Sequence, residues 1–158
     1  MATYNRTATG GGTVGHPSNA AVPYVMTSPV WDTADGGAGG DIVQLIDVPA
    51  DTMIVAGCLE VLEARGNGQI TMDIGFTGGD VDALLDGSAC AAGFSPFLEA
   101  AVGASGANAR ILTSADTIDA LILDGGSSGE SALRFRIHVV LADISRNPTE
   151  SATVSTGT

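Results

Sequence analysis

The stretch Asp41-Ile-Val-Gln-Leu-Ile-Asp-Val-Pro-Ala-Asp-Thr-Met-Ile-Val-Ala-Gly-Cys-Leu-Glu-Val-Leu62 decides the fold class. Two apolar runs rich in β-branched residues, Asp41 to Val48 and Thr52 to Ala64, flank the short turn Pro49-Ala-Asp51. The pattern predicts consecutive strands of one sheet. The second run is long enough to be expected to kink or bulge at Gly57.

Working outward, Gln69 to Phe76 alternates cleanly, with Ile70, Met72, Ile74 and Phe76 on one face and Thr71 and Asp73 on the other, the period of a half-buried antiparallel strand. Arg65-Gly-Asn-Gly68 before it reads as a hairpin, because Asn67-Gly68 tolerates positive φ. Alternation returns at Arg110 to Thr113 and at Asp116 to Leu123. In the last run, Ala132 to Asp143, Leu133, Phe135, Ile137, Val139 and Leu141 are expected to point inward, with Arg134, Arg136 and His138 outward. Asp124-Gly-Gly-Ser-Ser-Gly129 is predicted to be a hairpin loop joining these last two strands, and Asp35-Gly-Gly-Ala-Gly-Gly40 a loop. Val22 to Trp31 is an extended segment broken by Pro23 and Pro29, hence an edge. Val81 to Leu85 is short enough for one helical turn, and Gly87 to Gly106 reads as irregular connections with at most one short strand. The sum is an all-β fold, a single β-sandwich or jelly-roll-like domain of about seven or eight antiparallel strands.

Residues 1–21 and 146–158 are rich in Gly, Ser, Thr and Asn and offer little to bury. They read as an extended N-terminal arm and a polar C-terminal tail around a body at 22–145. Aromatic residues make up only 4% of the 158-residue chain. The core is therefore expected to be aliphatic, with Phe76, Phe94, Phe97 and Phe135 as its few large pieces.

All six basic residues are arginine, and 18 acidic residues bring the formal charge to -12. Such a field repels nucleic-acid backbones and anionic membrane surfaces, so neither is an expected partner. Codon bias toward arginine and a high-salt setting both account for the missing lysine. No apolar run resembles a signal peptide or a membrane span, and synthesis in a cytoplasm is expected. Cys58 and Cys90 fit two reduced thiols or one bridge, but no disulfide framework or zinc site.

The chemistry-bearing residues form no catalytic set. His16 and His138 have no nucleophile or carboxylate at a hydrolase-like spacing, and both read as solvated surface histidines. Asp80, Asp82 and Asp86 follow a Gly-Gly turn but lack the remaining ligands of a calcium loop. The glycine tracts are not followed by Lys-Ser/Thr and open no helix, so no nucleotide loop is present. No enzymatic activity, cofactor or metal is expected. Arg134 and Arg136 share a strand face and are expected to pair with cross-strand carboxylates.

Pro23-Tyr-Val-Met-Thr27, the run from Gly40 through Val55, Val61 through Asp80 with its Asp73-Ile-Gly-Phe-Thr-Gly-Gly-Asp80 ending, and the final Ile137-His-Val-Val-Leu141 together resemble the head decoration, or cement, proteins of tailed phages. The likeness spans a third to a half of the chain and consists of patterns rather than chemical signatures. It implies a non-enzymatic virion protein, made in the host cytoplasm, that binds the major capsid protein on the outer surface of an icosahedral head and stabilises contacts between its subunits. It further implies a homo-oligomer, with a trimer as the working guess, and capsid contacts through the arm residues Tyr4, Asn5, Arg6 and His16. The alternative is a receptor- or carbohydrate-binding module of a tail fibre or spike. The lack of an aromatic platform on the body argues against a sugar site.

Overall fold

A computed structural model describes residues 3–5, 23–33, 39–64, 70–77, 79–97, 110–123 and 133–144. In chain order the strands are β1 (Thr3–Asn5), β2 (Tyr24–Thr27), β3 (Trp31–Asp32), β4 (Ile42–Val48), β5 (Thr52–Glu63) and β6 (Thr71–Phe76). They continue with β7 (Leu85–Ala89), β8 (Gly93–Phe97), β9 (Arg110–Leu112), β10 (Asp116–Ile122) and β11 (Arg134–Asp143). Sheet A has the order β1-β4-β10-β6-β7; sheet B has β2-β11-β5-β8, with β3 pairing β11 and β9 pairing β5. One hydrophobic cluster drawn from both sheets lies between them, so the fold is a β-sandwich. All pairings are antiparallel except β1 on β4, which is parallel.

The described residues hold more strands than expected: β7 and β8 occupy 85–97, where at most one short strand was predicted, β1 lies in the expected arm, and the segment up to Trp31 divides into β2 and β3. Residues 81–84 form turns and bends rather than a helical turn. Within the expected arm, Thr3–Asn5 pair with Ile42–Gln44 along the edge of sheet A.

The partition between sheets corrects three expectations. β4 and β5 belong to different sheets, so Pro49-Ala-Asp51 is a crossover and not the turn of one sheet. Asp51 takes φ 55° there, a conformation that aspartate tolerates better than most side chains, and its carbonyl accepts the Ile144 N–H at 2.8 Å. β5 and β6 also lie in different sheets, as do β10 and β11, so neither predicted hairpin joins paired strands. Residues 65–69 and 124–132 themselves lie outside the described residues, as do most of the 35–40 loop and the 146–158 tail.

β11 is central to sheet B, between β2 and β5, and Leu133, Phe135, Ile137, Val139 and Leu141 are all fully buried, as their alternation requires. β2 and β3 lie along the other side of β11, the edge position that Pro23 and Pro29 suggest. The long β5 bulges at Val55 and Leu62 rather than at Gly57, which pairs regularly with Val139 and Phe97. A bulge leaves one residue without a partner, and these two side chains are accordingly exposed. The largest core piece is Trp31, which composition alone did not single out, whereas Phe94 points into solvent because it pairs with Glu60 on the outer side of the edge strand β8. The Phe97 side chain lies outside the described residues.

Gly75 sits mid-strand in β6 for a steric reason. A Cβ there would meet the Asp80 carbonyl oxygen and the Val81 carbonyl carbon at 2.3 Å, because the β6–β7 connection folds back over it. That connection is held by Phe76 N–H to Asp80 O and Leu84 N–H to Ile74 O. Gly75→Ala is expected to cost about 1–3 kcal/mol through backbone displacement, read as a lowered urea midpoint with an unchanged slope.

Candidate interaction surfaces

The outer face of sheet B follows from register. Glu60 stands between Arg136 and Phe94, Cys58 between His138 and Pro96, and Val140 between Ala56 and Val25. Facing residues on neighbouring antiparallel strands share a side, so all of these side chains project away from the core. Phe94 is 67% exposed and Val25 61%, with Ala56 and Pro96 also exposed, so the charged centre has an apolar rim.

That centre is internally paired. Arg136 Nε donates to Glu60 Oε2 at 2.5 Å, His138 Nε2 lies 2.8 Å from the same oxygen, and Thr27 Oγ1 lies 2.9 Å from His138 Nδ1. Arg134 lies 3.8 Å from Asp32 and 4.0 Å from Glu63. The expected cross-strand pairs of both arginines are present, while His138 is more enclosed than a freely solvated histidine. The Arg136 guanidinium first, and the His138 imidazole next, hold the Glu60 carboxyl below its ordinary range. Both cysteines are free thiols: Cys58 lies on this face, and Cys90 is buried in the core, where desolvation pushes it up to about 12.

Charge is divided between the sheets. Arg110, Arg134, Arg136 and His138 all belong to sheet B, whereas the strands of sheet A carry no basic residue. Asp47, Asp73, Asp86, Asp116 and Asp119 are on sheet A strands. Two of these are buried: Asp73, 5% exposed, accepts the Gly87 N–H at 2.7 Å, and Asp119 is 3% exposed.

Asp119 sits beside a bulge. Ile118 pairs with Ile46 and Asp119 with Gln44, leaving Leu45 unpaired, while on the other side Asp119 faces Gly75. The β6–β7 backbone crossing over Gly75 therefore runs on the side of the sheet to which the Asp119 side chain points. The Thr77 hydroxyl donates to Asp119 Oδ2, while Oδ1 is buried without a hydrogen-bond partner. Thr77 Oγ1 in turn lies 3.3 Å from Gln44 Nε2 and 3.4 Å from Thr117 Oγ1. Burial first, and the Asp116 charge as well, push the Asp119 carboxyl up to about 7, against the downward pull of hydrogen bonds from Thr117 and Thr77.

Of the sequence-derived contact residues, Tyr4 and Asn5 are in β1 on the β4 edge, and Arg6 and His16 lie outside the described residues. Asp80 and Asp82 are in the β6–β7 connection and Asp86 is in β7; among the described residues no three acidic, histidine or cysteine groups are placed to hold a metal ion. The sheet B face and the buried Asp119 escaped sequence reading. The signal for Asp119 was Gly75, since a glycine inside a strand often marks close backbone approach.

No family model matches the chain, and no curated protein matches it in sequence. Three solved structures share its fold. A chain in the capsid of Ralstonia phage GP4 is 20% identical with a TM-score of 0.59, the match covering 81% of this chain and 88% of that one. A chain in the acidic stable capsid structure of Helicobacter pylori bacteriophage KHP30 is 13% identical with a TM-score of 0.57, covering 78% and 90%. A chain in the cyanophage Pam1 capsid asymmetric unit is 12% identical with a TM-score of 0.61, covering 81% and 89%. At these identities the likeness is one of fold.

Proposed function

We propose that this chain is a non-enzymatic structural protein of a phage head, a decoration protein that binds the outer surface of the capsid and stabilises contacts between major capsid protein subunits. The observation that carries this is the coverage of the structural matches. Each spans about four-fifths of this chain and nearly nine-tenths of a chain in a phage capsid, so the likeness is to a whole subunit of nearly equal length. The acidic charge favours the outer surface, because packaged DNA repels a chain of formal charge -12.

The outer face of sheet B is the docking surface in this proposal. Its charges are already paired with one another, so covering them requires no new counter-charge, and its rim of Phe94, Val25, Pro96 and Ala56 gains by leaving water. The arm at 1–21, with Tyr4, Asn5, Arg6 and His16, adds contacts along neighbouring subunits, and the working assembly is a homotrimer.

Co-sedimentation of the purified chain with undecorated heads of its own phage tests this. Saturable, stoichiometric binding is expected, with Cys58 protected from alkylation on the particle. Phe94→Glu combined with Val25→Glu is expected to lower occupancy more than tenfold while leaving the melting temperature of the free chain within a few degrees, since both side chains are exposed. Absence of saturable binding would overturn the function, whereas full occupancy by the double variant would move the docking face elsewhere.

A further inference from the structure

Asp119 is covered by a thin piece of chain. Its cross-strand neighbour Gly75 is buried directly beneath the Asp80 and Val81 backbone, yet of the crossing residues Gly79, Asp80 and Asp82 are exposed and Val81 is half-buried. The crossing therefore hides little apolar surface of its own. It is tied down through the Asp80 carbonyl, which accepts the Phe76 N–H at 3.0 Å and the Ala83 N–H at 3.3 Å. Beyond it Ala83 and Leu84 join the core, and the Leu84 N–H donates to the Ile74 carbonyl at 2.9 Å, which fixes the far end. A short, exposed segment between two anchored ends opens at lower cost than the sheets it spans.

The neutral and the ionised acid differ in what they need under that cover. An ionised carboxylate accepts up to about four hydrogen bonds, and a buried one that lacks them is costly. The Thr77 hydroxyl reaches Oδ2, while Oδ1 is buried with no partner. Water supplies the missing donors once 79–82 lifts. Charge acts in the same direction: among the described residues, the charged groups on the elements around Asp119 are Asp47 on β4, Asp73 on β6, Asp80 and Asp82 in the crossing, Asp86 on β7 and Asp116 on β10, and every one is an acid. A new negative charge at Asp119 is repelled by them, and moving Asp80 and Asp82 outward relieves part of that repulsion. Burial pushes the Asp119 carboxyl up to about 7, so mild solutions reach both forms. We propose that residues 79–82 are a proton-operated cover on sheet A, closed while Asp119 carries its proton and lifted once it is ionised. Opening bares the carboxylate and the β6 backbone at Gly75, so sheet A presents different surfaces in mildly acidic and in alkaline solution. The device is independent of the capsid reading.

Native-state hydrogen exchange of the full chain, followed by NMR between pH 5 and pH 7 and corrected for intrinsic exchange, tests this with and without about 1 M urea. Protection of the Phe76 and Ala83 amides is expected to fall about tenfold per pH unit, as the loss of one proton requires. Urea should leave it unchanged, because lifting four residues exposes little surface. The Leu84 and Ile137 amides, anchored outside the cover, are expected to be at least tenfold better protected and to lose protection in urea. Asp119→Asn should remove the pH slope at Phe76 and Ala83, while Asp73→Asn and Arg6→Gln should keep it. A parent without that slope, a urea response at Phe76 and Ala83 equal to that of Ile137, or a slope abolished by Asp73→Asn or Arg6→Gln would each overturn the proposal. Should a variant fail to fold, the parent's slope and its urea response decide by themselves.

Discussion

Phe135→Asp is expected to abolish the cooperative unfolding transition altogether. Phe135 is fully buried near the start of β11, with Val61 opposite it on β5 and Trp31 opposite it on β3. Truncating a buried Phe typically costs about 3–5 kcal/mol through lost transfer energy and residual cavity, and an unpaired buried carboxylate adds several more. A domain of this size has about 5–15 kcal/mol to lose. Arg136→Gln, one residue away on the opposite face, is expected to cost under about 1 kcal/mol, because its partner Glu60 is already shared with His138 and the pair is near the surface. Thermal melts followed by circular dichroism compare the two. Similar melting temperatures for both variants would show that the faces of β11 are assigned the wrong way round.

The second large effect is a loss of stability on going from mildly acidic to neutral pH, centred on Asp119. Its carboxyl titrates at about 7 in the folded chain, against 3.8 for an ordinary aspartate. A raised folded value means that the native state holds the proton more tightly than the unfolded chain. The stabilisation is therefore complete below the ordinary value and is lost progressively as pH rises through about 7, by up to about 4 kcal/mol. Asp73, raised chiefly by burial, acts in the same direction. Glu60, held low by Arg136 and His138, acts in the opposite direction and loses its contribution as pH falls through the carboxylate range. Urea midpoints are thus expected to be highest at about pH 4–5 and to fall toward pH 8. Asp119→Asn keeps the shape of the protonated acid without a titrating proton, so it should flatten the upper limb and exceed the parent in stability at pH 8. Parallel profiles for parent and variant from pH 4.5 to pH 8 would count against a buried, ionisable Asp119.

Burial of Asp119 depends on contacts remote in sequence, and this marks the boundary of what the chain reveals on its face. In Asp116-Thr-Ile-Asp-Ala-Leu-Ile122, period two correctly sets Ile118, Ala120 and Ile122 toward the core and Asp119 away from it. Away from the core usually means toward water. Here it means beneath the β6–β7 backbone, which approaches because Gly75 has no side chain. The same division holds for the acidic run at 80–86 and for the outer face of sheet B, where individual exposed residues were readable but their grouping was not.

Alternation by itself determined that the chain is an all-β sandwich, that β6 and β11 bury Met72, Ile74, Phe135 and their neighbours, and that the prolines confine 23–31 to an edge. Which sheet each strand joins was decided only by tertiary structure. Pro49-Ala-Asp51, Asn67-Gly68 and Asp124-Gly-Gly126 carry the local chemistry of turns, and a turn reverses the chain equally well within one sheet or between two. Inward residues of either sheet face the same core, so the pattern is identical for both outcomes. Only the non-local ladders, β4 with β10 and β5 with β11, separate them, and with that separation the basic residues of the described strands came to lie on one sheet while Asp73 and Asp119 became buried on the other.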